Sequence, residues 1–372
     1  MRNLQKTFLV LLMLWPLDRV PAQEGPNKDV GETVAKPRKK DADATTNPDQ
    51  APIPSKLSNR NKADLPPEAP AFKVDTSVVN VDVAVMDNRG HFIPNIPRGN
   101  FRILEDNVPQ QIANFNMGEA PMTVCLLIEF NARFQSYWSS GWYQTLTASY
   151  GFLQTLKPED YVAVIAYDLR SEILSDFSSD KRKAYEAMQR LRIPGFSESN
   201  MFDALADTED RMSGIEGRKA IVLIATGIDT FSKLTYDKAR KALQDAGVPI
   251  YAIGIREMVG IYGGLPREGI TTLQAENMLK TFSKETGGMA FFPRFFGEFP
   301  SIYGAIAQSL RNQYSLAYSS TNQAKDGSFR KIKVELVNPA TNEPLRVTDE
   351  KGKPIKYSIV AKAGYKAPRE VE

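Results

Sequence analysis

Five short runs dominate the middle of the chain: TVCLLIEF (123–130), YVAVIAYD (161–168), AIVLIATG (220–227), PIYAIGI (249–255) and MAFFP (289–293). Four of them are apolar almost without interruption, which is how strands read when helices cover both faces of their sheet. A strand with one wet face would alternate instead. The segments WYQTLTASYGFLQTL, SDKRKAYEAMQRLR, NMFDALADTEDRMSG, TYDKARKALQDAG and TTLQAENMLKTFSKETGG lie between the runs and carry apolar residues at helical spacing. Gly247 and Gly287-Gly288 fall where helices should end. This rhythm predicts an α/β fold with a doubly wound, mostly parallel sheet. SEILSDF (171–177) is expected as an antiparallel edge strand and GAIAQSLRNQ as the closing helix.

Period-two alternation flanks this rhythm on both sides. Upstream, TSVVNVDVAVMD sets Val78, Val81, Val83 and Val85 among polar partners, and NFRILEDN and QQIANFNM follow. Asp87-Asn88-Arg89-Gly90 and Glu105-Asp106-Asn107 are the turns between them. Downstream come YSLAYSS, FRKIKVELV and IKYSIVAKAGY. Either set alone has too few strands for a stable core. The economical solution pairs both into one β-sandwich, with strands from 71–120 and 314–368 and the α/β domain inserted at 121–313. Domain ends usually lie close together, which permits such an insertion.

The N-terminus reads differently. Arg2 and Lys6 precede a short apolar run, Phe8 to Leu17, and Val20-Pro21-Ala22 resembles a cleavage site, so residues 1–22 are expected to be a signal peptide. The run is too short to span a bilayer comfortably, and no other stretch is long and apolar enough. Residues 23–70 are rich in Pro, Lys, Asp, Asn and Ala and contain no aromatic residue, so a disordered linker is expected there. The implied location is secreted, periplasmic or elsewhere in the cell envelope.

Charge and rare residues narrow the function. The 47 basic and 44 acidic residues become 44 and 43 once Arg2, Lys6, Arg19 and Asp18 leave with the leader. A near-neutral chain gives no electrostatic case for nucleic acid or an anionic membrane surface. Cys125 is the only cysteine and sits inside TVCLLI, so an intramolecular disulfide and a cysteine zinc site are both excluded. Its setting is that of a small buried hydrophobe. The single histidine, His91, lies in a turn-like DNRGHF, and no G-x-S-x-G elbow offers it a nucleophile.

In open α/β sheets, ligands bind outside the carboxyl ends of the strands. The candidates are therefore Glu129 to Arg133, Asp168, Phe196 to Asn200 and Thr226 to Asp229. Neither G-x-G-x-x-G after a strand nor G-x-x-x-x-G-K-S/T is present, so the phosphate cradles of dinucleotide and P-loop sites are missing. GIYGGLPREG (260–269) is read as a lid or partner loop.

An apolar strand ending in E-F-N-A-R, then GFSESNMFDAL, KAIVLIATGIDT and PIYAIGI, resembles a von Willebrand factor type A domain. The flanks VNVDVAVMDNRGHFIPNIPRGNFRILEDNVPQQIANF and RNQYSLAYSSTNQAKDGSFRKIKVEL, with KAGYKAP, resemble the VWFA-related family known chiefly from acidobacterial secreted proteins. The likeness spans Ala71 to Pro368. It implies a metal-ion-dependent adhesion site with D-x-S-x-S after the first strand, a later Thr, and an Asp in a T-D-G turn. Here those positions read Glu129, Asn131, Arg133, Ser199 and Thr226, and every one differs from the pattern. Magnesium wants tight octahedral oxygen ligands and one or two carboxylates. A cation at about 6 Å would repel it by roughly 5 kcal/mol at an effective dielectric near 20. The site is therefore expected to be metal-free, with Arg133 paired to Glu129 and Asp229 as the one acid that could rescue weak binding.

The loop after Glu129 also concentrates aromatics. Trp15 leaves with the leader, so Trp138 and Trp142 are the only remaining tryptophans, close to Phe134 and Tyr137. Trp, Tyr and Arg dominate interface hot spots. The reading is a non-enzymatic, secreted or envelope-associated protein-binding module, adhesive or scaffolding, with no cofactor and no small-molecule substrate. Its partner-binding residues are Glu129, Asn131, Arg133, Phe134, Tyr137, Trp138, Trp142 and Ser199. The alternatives are a structural envelope component without a dedicated site and a hydrolase pairing Glu129 with Asp168.

Overall fold

The computed structural model describes residues 78–118, 120–131, 150–191, 195–255, 270–348 and 352–369, all within one compact unit, Ile53–Glu372. The leader, the 23–70 segment, the aromatic loop and GIYGGLPREG lie outside the described residues. Four strands open the described chain: β1 (Val78–Asp87), β2 (Phe101–Glu105), β3 (Val108–Gln110) and β4 (Ile112–Gly118). Asp87 ends β1 by folding back on its turn, its Oδ1 accepting from the N–H groups of Arg89 and His91 at 2.8 Å. His91 is exposed beside it, Nδ1 3.2 Å from Asp87 Oδ2. The β2–β3 turn places Asp106 and Asn107 at φ 47° and 68°, the left-handed geometry that a two-residue hairpin needs.

The α/β domain follows as β5 (Met122–Glu129), β6 (Tyr161–Tyr167), β7 (Ser171–Ser178), α1 (Lys181–Gln189), α2 (Met201–Ser213), β8 (Arg218–Ala225), α3 (Tyr236–Ala246), β9 (Ile250–Gly254), α4 (Ile270–Thr286), β10 (Ala290–Phe291) and α5 (Phe299–Arg311). Its sheet runs β10-β9-β8-β5-β6-β7, with every pair parallel except β6 and β7. The apolar run of β5 feeds two cores at once. Val124, Leu126 and Ile128 join one cluster with Phe152, Tyr303 and Ile306, while Cys125 and Leu127 join another with Leu205, Leu243 and Phe282. Burial on both faces is the physical reason β5 shows no alternation. Cys125 is completely buried, and that desolvation pushes its thiol up to about 12.

The chain then returns through β11 (Gln313–Ser319), β12 (Phe329–Leu336), β13 (Val347–Thr348), β14 (Pro354–Ile355), β15 (Tyr357–Val360) and β16 (Gly364–Lys366). Two antiparallel sheets result, β15-β1-β11-β4 and β16-β12-β2-β3, with β13 and β14 as a separate small hairpin. Each large sheet mixes strands from both ends of the sequence. Val81, Val83, Tyr314 and Leu316 from the first share one core with Phe101, Ile103, Ile332 and Leu336 from the second. This is the sandwich into which the α/β domain is inserted.

Three segments differ from their local sequence pattern. IKYSIVAKAGY, read as one strand, is two: β15 pairs with β1 and β16 with β12, in different sheets. The crossover between them presses on the end of α4. A Cβ on Gly287, which sits at φ 87°, would lie 2.6 Å from Lys362 N, so only glycine fits there. MAFFP yields only the two residues of β10, an edge strand held on one side by β9. The closing helix α5 begins at Phe299 with Pro300 in its first turn, before the GAIAQSLRNQ stretch, because Phe299, Ile302 and Tyr303 bury their side chains.

Candidate functional site

The carboxyl ends of β5, β6 and β8 converge on one buried polar cluster. Glu129 closes β5 opposite Tyr167, its register partner on β6. Glu129, Asn131, Ser199 and Thr226 are all buried. Glu129 Oε2 accepts from the main-chain nitrogen of Thr226 at 2.6 Å and from its hydroxyl at 2.8 Å. Asn131 Nδ2 donates to Oε1 at 2.8 Å. Burial raises the Glu129 carboxyl above its ordinary range, outweighing the lowering effect of Thr226 and, to a smaller extent, of Ser199 and Asn131. Beside it, the Tyr167 hydroxyl and Ser199 Oγ are buried. Desolvation, then the nearby charges of Glu129 and Asp229, hold the Tyr167 phenol well above its usual value.

The other two acids of this edge organise loops. Asp168 Oδ1 accepts from Arg170 N at 2.9 Å and Oδ2 from Phe196 N at 3.0 Å. Its described hydrogen bonds go to loop nitrogens, whereas those of Glu129 are made by Thr226 and Asn131. Asp229 Oδ1 accepts from Phe202 N at 3.2 Å, in the first turn of α2, and from Ser232 Oγ at 2.5 Å. Asp203 ties the same loop down by accepting from Lys233 N and Leu234 N at 2.9 and 3.0 Å. Ser199 joins in: its N–H donates to Thr230 Oγ1, and its carbonyl accepts from Thr230 N and Phe231 N.

Tied loops of this kind present aromatic rings outward. Phe196, Phe231 and Phe295 are all exposed, as is Leu273 in the first turn of α4. Topology places all four at the carboxyl edge of the parallel sheet. Arg170 lies over the Phe196 ring, 5.5 Å from its centroid. Nearby is a hollow of about 130 Å³ whose walls include Phe130, Tyr167, Asp168, Arg170 and Gly195.

The residues singled out by sequence therefore divide. Glu129, Asn131 and Ser199 come together as a buried floor, whereas Arg133, Phe134, Tyr137, Trp138 and Trp142 lie outside the described residues. Phe231 and Phe295 were not singled out; the signal that could have found them was an aromatic residue closely following a strand's carboxyl end.

A profile of the von Willebrand factor type A domain matches residues 135–305. That span takes in β6 to β10 and ends within α5. That stretch of the chain is thus similar to a von Willebrand factor type A domain. Among solved structures, it is similar to the conserved hypothetical protein BatB from Bacteroides thetaiotaomicron, at 15% identity over 50% of this chain and 98% of that one, TM-score 0.39. It is also similar to the vWF domain of the type V pili tip protein Mfa5 from Porphyromonas gingivalis, at 12% identity over 51% and 95%, TM-score 0.41. Proximal thread matrix protein 1 from the mussel byssus matches at 11% identity over 56% and 51%, TM-score 0.41. No curated protein matches the chain.

Type A domains imply a divalent ion at this edge, and the described donors do not fit one. Glu129 is the single carboxylate of the described cluster, and three internal hydrogen bonds already occupy it. Asp229, the possible second ligand, is taken by Phe202 N and Ser232.

Proposed function

We propose that this chain is a protein-binding module, secreted or envelope-associated, that docks a partner at the carboxyl edge of its type A sheet without a metal ion and without catalysing a reaction. The observation that carries the reading is the rim of exposed Phe196, Phe231 and Phe295 on loops that hydrogen bonds hold in place. Rigid aromatic side chains offer large contact area with little ordering entropy to lose. The closed polar floor of Glu129, Asn131, Ser199 and Thr226 supports that rim where relatives of the domain would hold an adhesive ion. Arg133, Phe134, Tyr137, Trp138 and Trp142 extend the proposed contact surface. The location rests on the leader at residues 1–22; no helix among the described residues is long and apolar enough to cross a membrane.

The test is affinity capture from native envelope extract. The chain from residue 23 onward is compared with folded Phe196→Ser/Phe231→Ser and Trp138→Ala/Trp142→Ala variants, each with and without EDTA. The expected result is a partner held by the parent chain in both conditions and lost by the variants. Equal capture by all proteins would move the function to the sandwich or the linker, and release by EDTA would restore the metal to the mechanism.

A further inference from the structure

Sheet edges offer unpaired N–H and C=O groups to any passing strand, and natural proteins blunt them with short strands, prolines, charges or bulges. Most edges here follow that rule. β3 has three residues, one of them Pro109; β16 has three, β15 four and β10 two. β7 is longer, but it carries Glu172 and Asp176 and breaks register twice against β6. β4 is the exception: seven residues, Ile-Ala-Asn-Phe-Asn-Met-Gly, with no charge and no proline. It pairs with β11 on one side and, among the described residues, with no strand on the other. A single irregularity lies near its start, leaving Asn114 to Gly118 in regular register.

The free stretch is bounded at both ends. Arg98 donates to the carbonyl of Ile112 and Arg218 to that of Gly118. Between them, Phe115 faces the sandwich core, its ring 5.5 Å from Phe101 and 5.9 Å from Tyr314, while Asn114 and Asn116 are exposed. Met117, within the strand, is also exposed.

We propose that β4 is a self-pairing edge through which two copies of this chain join into a dimer with a continuous sheet. The sequence suits a two-fold antiparallel pair centred on Phe115. Asn114 of one copy then faces Asn116 of the other, Ala113 faces Met117, and the two Phe115 rings meet on the core side. No ionised side chain within the strand opposes its like, the arrangement that most destabilises cross-strand pairs. An isologous contact of this kind closes on itself and stops at two copies. The strand ends bring Arg98 of one copy toward Arg218 of the other, so salt should strengthen the association by screening them. One strand pair lies at the small end of stable interfaces, so a dissociation constant on the order of micromolar is expected.

The experiment is sedimentation velocity on the chain from residue 23 onward, at low and high salt, beside Asn114→Lys/Asn116→Lys and Asn114→Glu/Asn116→Glu variants. Both variants change exposed side chains, and their melting curves check that they remain folded. The expected result is a salt-strengthened dimer, weakened at least about tenfold in either variant alone and restored when the Lys and Glu variants are mixed. A parent chain that stays monomeric at concentrations well above micromolar, or a dimer indifferent to both variants, would overturn the proposal. So would a dimer in which the amides of residues 113–117 gain no protection from hydrogen exchange.

Discussion

One residue, Thr226, supplies two donors to a single oxygen of Glu129: its main-chain nitrogen at 2.6 Å and its hydroxyl at 2.8 Å from Oε2. Because β5 and β8 are neighbours in the sheet, this pair locks the carboxyl ends of two central strands together. The Thr226 hydroxyl also accepts from Ile228 N at 3.3 Å, so it shapes the following turn. Replacing it should leave a buried acceptor and a nearby donor poorly satisfied. Thr226→Val is expected to destabilise the fold by about 1–3 kcal/mol, and Thr226→Ser to restore most of that. Urea unfolding of the two variants checks the difference.

Glu209 on α2 is buried, and that burial is the main cause that raises its carboxyl from 4.5 to about 9, with the Val248 main chain and Lys219 offsetting only part. The folded protein therefore holds a proton that the unfolded chain releases above about 4.5. Stability should fall as pH rises between 4.5 and about 9, by up to about 1.4 kcal/mol per pH unit from this group. Glu209→Gln removes the titration, so its melting temperature should exceed that of the parent at pH 8 and depend less on pH across that window. A parallel pH dependence in both proteins would contradict this assignment.

Glu105 and Arg330 form an ion pair of 3.5 Å in the sandwich core, both side chains 2% exposed. Tyr318 and Ser320 donate to the two Glu105 oxygens at 2.7 and 2.6 Å, and Tyr365 adds a third bond at 3.1 Å. Removing one partner leaves a buried charge without its counter-ion. Arg330→Met is expected to lose about 3–5 kcal/mol, and Glu105→Leu/Arg330→Met to recover a substantial part of it. Denaturant midpoints of parent, single and double variants give the comparison.

Cys125 has no exposed surface, and its thiol is pushed up to about 12. Thiolate is the reactive form. Native protein should therefore resist a thiol reagent at neutral pH, and unfolded protein should react fully. Modification of the native state at the rate of a free thiol would show that β5 opens readily.

Strands are legible in the sequence where burial alone shapes the pattern. β5, β6 and β8 announce themselves because each residue meets one of two cores. The end of α3 is equally plain, since Gly247 takes the left-handed conformation at φ 66°. The edge where the polar cluster forms also followed from strand order and polarity. The roles within it did not: Asp168, Asp229 and Asp203 look alike as carboxylates, yet each serves a different loop nitrogen.

Sequence by itself determined the α/β alternation, the flanking β strands and the edge of the sheet at which a site could form, because periodicity records how many faces of a strand or helix are covered. Tertiary structure alone decided that β15 and β16 part into different sheets, that Glu129 is satisfied by Thr226, and that Phe196, Phe231 and Phe295 stay in solvent. Those outcomes depend on contacts between residues far apart in the chain. Hydrophobicity along a segment says that a group prefers burial; only the assembled neighbours decide whether there is room for it.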